Sequence, residues 1–392
     1  MRQLALVCAA ASNANRSAGA WKMAGVGLLS LIFLSWFSVS HATSLRDVFY
    51  NEIHSILDQP RLTQVLDNAP LHPQEVVGWP KTELKVGQIS GVTVNNVGQP
   101  VIFHRADRVW DSESFDSDNR YKHEEKGPIE AETIYVLDPE DGSVLQKWGA
   151  NFFYMPHGIT IDRKGSVYLT DVALHQVFKF APQASRPSLT LGKRMEPGSG
   201  HLNFCKPTSV AVANNGQMFV ADGYCNSRIM KFDSDGRLVR IFPQRQEFLS
   251  LQVPHSVTLL EQRDLLCIAD RDDMRVACIG ANLYHTARTA AFTIQQPDMG
   301  RVFAIASRGD FVYAVNGPTS QLLPVKGFTL DPMAENVIDH WGPKTNTFTS
   351  PHSIAISPDG KYLYVSEIGP NRIWKFLLKS TDTPEDAEEE VK

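Results

Sequence analysis

SIAISPDGKYLYVSEIGPNRIWKF, residues 353–376, reads as three short strands in a fixed order. An alternating strand leads into the turn SPDG, a second strand ends in the small-acidic pair Ser366-Glu367, and a polar loop leads to a third strand. The turn residues are those that tolerate hairpin geometry. The same grammar recurs in GITIDRKGSVYLTDVALHQVFKF from Gly158, SVAVANNGQMFVADGYCNSRIMKF from Ser209 and SVTLLEQRDLLCIADRDDMRVACI from Ser256. These starts are 51, 47 and 97 residues apart, and the last gap leaves room for a degenerate unit near Phe303, in VFAIASRGDFVYAVNG. Upstream, GVTVNNVGQPVIFHRADRVW from Gly91 supplies a first unit, stretched by a polar insertion over Asp111 to Glu132. The count is six. Units of this length with several short strands and no long amphipathic helix predict an all-β chain folded as a six-bladed β-propeller, and they disfavour a solenoid.

One large domain with tails fits the 392 residues, of which 43% are hydrophobic. A net charge of -5 without Lys/Arg blocks offers no electrostatic case for nucleic acid. Arg2, Arg16 and Lys22 precede the apolar run AGVGLLSLIFLSWFSV, which ends in Ser40-His41-Ala42, small residues of the kind signal peptidase prefers. Residues 1–42 therefore read as a signal peptide cut after Ala42, with an uncleaved signal anchor as the alternative. Residues 43–86 form a lead-in, 87–378 the propeller and 379–392 an acidic disordered tail. The expected compartment is secreted or the lumen of the secretory pathway and its granules, and no stable membrane association is expected once the signal is removed.

Three histidines occupy one slot of the repeat. His157 opens MPHGITID, His255 opens VPHSVTLL and His352 opens SPHSIAIS, at steps of 98 and 97 residues, about two units each. In a ring of six units, every second blade then sends an imidazole to one axis. Three neutral imidazoles make an open-faced transition-metal site, most suited to zinc, with a fourth position left for water or substrate. The intervening slots hold Thr208 in the third unit and Val302 in the fifth, so the pattern is not a repeat-wide consensus. His104, His175 and His285 have no matching partners and read as structural.

Strand direction places other residues beside them. If a first strand runs away from one face, the loop after the second strand returns to it. Tyr224 in ADGYCNSR, Arg271 in ADRDDMR and Arg105 in VIFHRADR should therefore share the histidine face. Cys8 falls in the segment expected to be lost, leaving Cys205, Cys225, Cys267 and Cys278. Cys267 and Cys278 lie on neighbouring strands, and Cys205 and Cys225 flank the first two strands of one unit, so both pairs are local.

The stretches GQISGVTV, VIFHRADRVWDSESFD, GPIEAETIYVLDP, PHGITID, TDVALHQVFKF, FCKPTSVAV, ADGYCNSRI, VPHSVTL, ADRDDMRVAC and YAVNG resemble the peptidyl-α-hydroxyglycine α-amidating lyase family over about Gly87 to Phe376. The resemblance implies an NHL-type propeller and a carbon-nitrogen lyase, a peptidylamidoglycolate lyase. Such an enzyme splits a peptide ending in α-hydroxyglycine into a peptide amide and glyoxylate, the second step of neuropeptide and peptide-hormone amidation. It implies zinc on His157, His255 and His352; substrate-binding and catalytic roles for Arg105, Tyr224 and Arg271; and disulfides Cys205–Cys225 and Cys267–Cys278. A phenol serving in proton transfer is expected to be made more acidic by the neighbouring cationic groups.

The resemblance also implies a structural calcium held by backbone carbonyls at Val92 and Ile159 and by an Asp directly after the third histidine. Here Ser353 takes that place, and a hydroxyl is a much poorer calcium ligand than a carboxylate. The chain is too short to carry the monooxygenase that makes the hydroxyglycine, so the expected partner is a peptide supplied by a separate enzyme to a monomeric lyase. Two other readings stay open at this level. One is a non-catalytic propeller binding a peptide or protein on its histidine face; the other is a calcium-dependent propeller hydrolase, which would want Asp, Glu and Asn at the channel instead of His and Arg.

Overall fold

Alternating apolar residues pair into strands wherever the repeat reads as one, and the computed structural model, described for residues 69–284 and 290–380, arranges them as six antiparallel sheets of four strands. The signal segment, His285 and the tail from Thr381 lie outside the described residues. The innermost strands are Ile89–Val94, Pro156–Ile161, Ser209–Val212, Pro254–Leu260, Val302–Arg308 and Pro351–Ile356, one per sheet. Each abuts the next and the last abuts the first, closing a ring of six blades. The turns take the conformations their sequences call for: Gly216 in ANNG (φ 86°) and Gly360 in SPDG (φ 70°) sit where a side chain would be strained.

Six apolar clusters fill the six gaps between blades. Phe103, Phe153 and Leu169 join the first and second blades, for example, and Ile102, Tyr135 and Tyr364 join the sixth to the first. A single blade could not bury both faces of its sheet, so closure supplies the core.

Two expectations need correction. Each unit has a fourth, outer strand that the three-strand grammar missed, because these strands are short or, as in Val144–Trp148, mostly exposed. The expected propeller bounds, 87–378, are also too narrow: the final strand runs through Ser380, taking Lys379 and Ser380 from the expected tail, and the lead-in boundary at residue 86 falls too late. Leu71–Glu75 pairs antiparallel with Ile373–Ser380, Leu71 opposite Ser380 and Glu75 opposite Phe376, and so becomes the outer strand of the last blade. Its sequence, LHPQE, lacks the β-branched signature of a strand; the unpaired edge beside it recruits it. Both cysteine pairs are disulfides, Cys205–Cys225 and Cys267–Cys278. Among the described residues, no helix is long and apolar enough to cross a membrane.

Candidate metal centre and active site

The small-acidic pair that ends the second strand in four of the six blades has a structural task. Asp171 accepts the backbone N–H groups of Tyr154 and Met155, Glu367 those of Thr349 and Ser350, and Asp270 that of Gln252. Each acid thus pins the segment immediately before a Pro-His step. Asp270 and Glu367 are neutralised by Arg275 and Arg372, which makes their burial tolerable.

His157, His255 and His352 are brought together as expected, with ligand nitrogens all within 4.8 Å of one another and every ring buried. Each stands at an irregularity in the pairing of its first strand, which turns the side chain toward the axis. The slots between them complete the arrangement. His157 Nδ1 lies 2.8 Å from the Thr208 carbonyl, His255 Nδ1 2.7 Å from that of Phe303 and His352 Nδ1 2.7 Å from that of Ser90. A carbonyl oxygen can only accept, so Nδ1 carries the hydrogen in all three rings and Nε2 keeps its lone pair. A carbonyl holding the far ring nitrogen in this way is what orients metal-bound histidines. It also moves one assignment: the irregularity in the fifth blade lies between Val302 and Ala304, so the residue in the slot is Phe303, not Val302. The proline of the Pro-His step was the alignment guide, and this blade has none.

Burial holds all three imidazoles neutral. His157 and His255 lie well below the ordinary value, first through desolvation and then through neighbouring positive charge. His352 is lowered to about 3 by the same burial and by Arg105. Three neutral rings with free Nε2 atoms and fixed tautomers fit a transition-metal cation, and nitrogen donors suit zinc.

Tyr224, Arg105 and Arg271 gather at this centre. The Tyr224 hydroxyl is 3.1 Å from His157 Nε2 and 3.0 Å from His255 Nε2. Its single hydrogen serves one acceptor at a time, so the pocket holds more lone pairs than protons, a further mark of a cation site. The Arg271 guanidinium lies 5.1 Å from the Tyr224 ring centre and 5.2 Å from that of Phe303. Arg105 is 1% exposed; its Nε donates to the Pro156 carbonyl at 2.9 Å, its Nη1 to Gln88 Oε1 at 2.7 Å, and its Nη2 has no protein partner. Burial lowers it to about 10, so it remains a cation at neutral pH. The expected acidification of the phenol is not what the surroundings produce. Burial raises Tyr224 above its ordinary value, and the opposing charges of Arg271 and Arg105 do not overcome it.

Calcium does not fit. Val92, Ile159 and Ser353 do line a cavity of about 70 Å³ beneath the histidines, together with Ser209 and Ser256, but its lining holds no carboxylate. Ser353 Oγ accepts the Val92 N–H at 3.2 Å, tying the sixth blade to the first as a neutral hydrogen bond. His104 and His175 behave as structural residues, accepting the N–H groups of Ala106 and Lys206.

The residue that sequence reasoning missed is Trp110. Its ring lies 4.7 Å from that of Tyr224 and 6.1 Å from that of His157, with the Arg105 guanidinium 5.2 Å away. An aromatic residue opening a polar insertion five positions after Arg105 was the available signal.

Comparison with known proteins agrees with this fold. The NHL repeat model matches residues 153–180 and 204–232. Peptidyl-alpha-hydroxyglycine alpha-amidating lyase 2 of Drosophila melanogaster is 54% identical over 80% of this chain and 79% of its own length. The probable lyase pgal-1 of Caenorhabditis elegans is 36% identical over 90% of this chain and 97% of its own. Rattus norvegicus peptidylglycine alpha-amidating monooxygenase is 42% identical over 78% of this chain, which spans only 32% of that longer protein. On these relatives, the six-bladed chain with its buried histidine triad is a lyase and belongs to the peptidyl-α-hydroxyglycine α-amidating lyase family.

Proposed function

We propose that the chain cleaves peptides ending in α-hydroxyglycine to the peptide amide and glyoxylate, with zinc held by His157, His255 and His352. The observation that carries this reading is the set of three Nδ1-anchored imidazoles with a phenol and two guanidinium groups around them. In the reaction the carbinol hydroxyl loses its proton, the C–N bond breaks with its electron pair passing to nitrogen, and that nitrogen takes up a proton. A divalent cation bound by the triad supplies Lewis acidity that lowers the cost of negative charge on a substrate oxygen.

The chain's own residues supply the rest. Arg105 Nη2 and the Arg271 guanidinium present donors suited to the substrate carboxylate. Tyr224, next to two of the three imidazoles, carries the proton from the hydroxyl to the departing nitrogen. Desolvation around Arg105 and the triad strengthens each of these interactions. The substrates are hydroxyglycine peptides made by a separate monooxygenase, in the secretory pathway that the disulfides fit, and the lyase acts as a monomer. The test is α-hydroxyhippurate: equal amounts of benzamide and glyoxylate are expected, and hippurate without hydroxyl should be left intact. Failure to release either product from the metal-loaded protein would refute the proposal.

A further inference from the structure

Gln88 lies just ahead of the first strand of the first blade, and its side chain joins two parts of the site. Its Oε1 accepts Arg105 Nη1 at 2.7 Å and the backbone N–H of Trp110 at 3.1 Å. Its own carbonyl accepts the Arg105 N–H at 3.0 Å. Arg105 Nε is spent on the Pro156 carbonyl, in the peptide next to His157. The guanidinium is therefore fixed on two edges, and its Nη2 is the buried donor left over. The second tie sets the start of the polar insertion, so that the Trp110 ring lies between Arg105 and Tyr224.

We propose that Gln88 is a positioning residue: one amide oxygen aims the free edge of Arg105 at the substrate carboxylate and seats Trp110 against Tyr224. This rests on the lyase reading. A planar guanidinium gives paired hydrogen bonds only in one orientation, and a buried arginine that has lost an acceptor rotates to find another. Gln88 is half-buried and touches no metal ligand in the hydrogen-bond network, so its loss acts through Arg105 and Trp110 and leaves the triad in place.

The metal-loaded protein is compared with Gln88→Ala and Gln88→Glu, the latter keeping an acceptor oxygen at the same reach. For Gln88→Ala the KM for α-hydroxyhippurate rises about 10-fold while kcat stays within about 3-fold, the scale of one charge-assisted hydrogen bond. The Kd for hippurate, measured by calorimetry, rises in parallel; Tm and metal content hold, and Gln88→Glu recovers most of the loss. An unchanged KM and hippurate Kd in Gln88→Ala overturns the proposal. So does a joint fall of Tm, metal content and kcat that Gln88→Glu fails to rescue, which marks a structural role. A wild type that binds hippurate but releases no glyoxylate refutes the lyase reading, and the hippurate arm still decides the role of Gln88. A wild type that does neither overturns both.

Discussion

His157 Nδ1 sits 2.8 Å from the carbonyl oxygen of Thr208, the residue in the same slot one blade further on. The relation recurs between His255 and Phe303 and between His352 and Ser90, so histidine blades alternate with blades that contribute a carbonyl. The ring sets imidazole orientation without spending a side chain on it. Replacing one histidine should then cost the metal and spare the fold. His255→Ala is expected to keep wild-type circular dichroism and to bind less than about a tenth of an equivalent of zinc by elemental analysis, since outer-shell losses alone cost 10–100-fold in affinity. Full occupancy in that variant would place the ion elsewhere.

Tyr224 contacts two of the three rings but has no need to hold the ion. Tyr224→Phe is expected to retain stoichiometric zinc and to lose turnover by about 100-fold or more, the scale of a lost acid-base group. Unchanged turnover would remove the phenol from proton transfer.

Acid should destabilise the metal-free protein through the triad. His352 titrates in the folded chain at about 3 against an ordinary 6.5, and His157 and His255 are shifted in the same direction. Below 6.5 the unfolded chain binds protons that the folded chain refuses, so the stability present above 6.5 drains away as pH falls toward 3. Tm of the chelator-treated protein should drop between pH 7.5 and pH 5, and His352→Gln should flatten that slope. A slope identical in the variant would assign the acid sensitivity to other groups.

Ring closure depends on a segment that the sequence alone assigns to a lead-in. A chain beginning at residue 87 lacks Leu71–Glu75 and exposes the edge of Ile373–Ser380. It should melt about 10 °C below a chain beginning at residue 69, from the loss of several backbone hydrogen bonds, and should associate more readily. Equal melting temperatures would make the pairing energetically idle.

What could be read in advance follows from where the information is periodic. The Pro-His spacing and the acid ending four of the six second strands repeat, so the blade count, the triad and the shared face of Tyr224, Arg105 and Arg271 were legible from the sequence. Leu71–Glu75 was not, because a strand that joins an existing edge needs little propensity of its own. Phe303 was displaced to Val302 because its blade lacks the proline that marks the slot. Trp110 and Gln88 act through an insertion found in a single blade, where periodicity is silent. The phenol's raised pKa reflects burial, a property of packing that a list of nearby charges does not disclose.

The most direct test is a titration of zinc into the chelator-stripped protein with α-hydroxyhippurate present, following glyoxylate release. The account predicts activity near zero at the start, rising linearly and saturating at one equivalent, with no rise in His255→Ala. Full glyoxylate release by the stripped protein, or an equal rise in the variant, would contradict it.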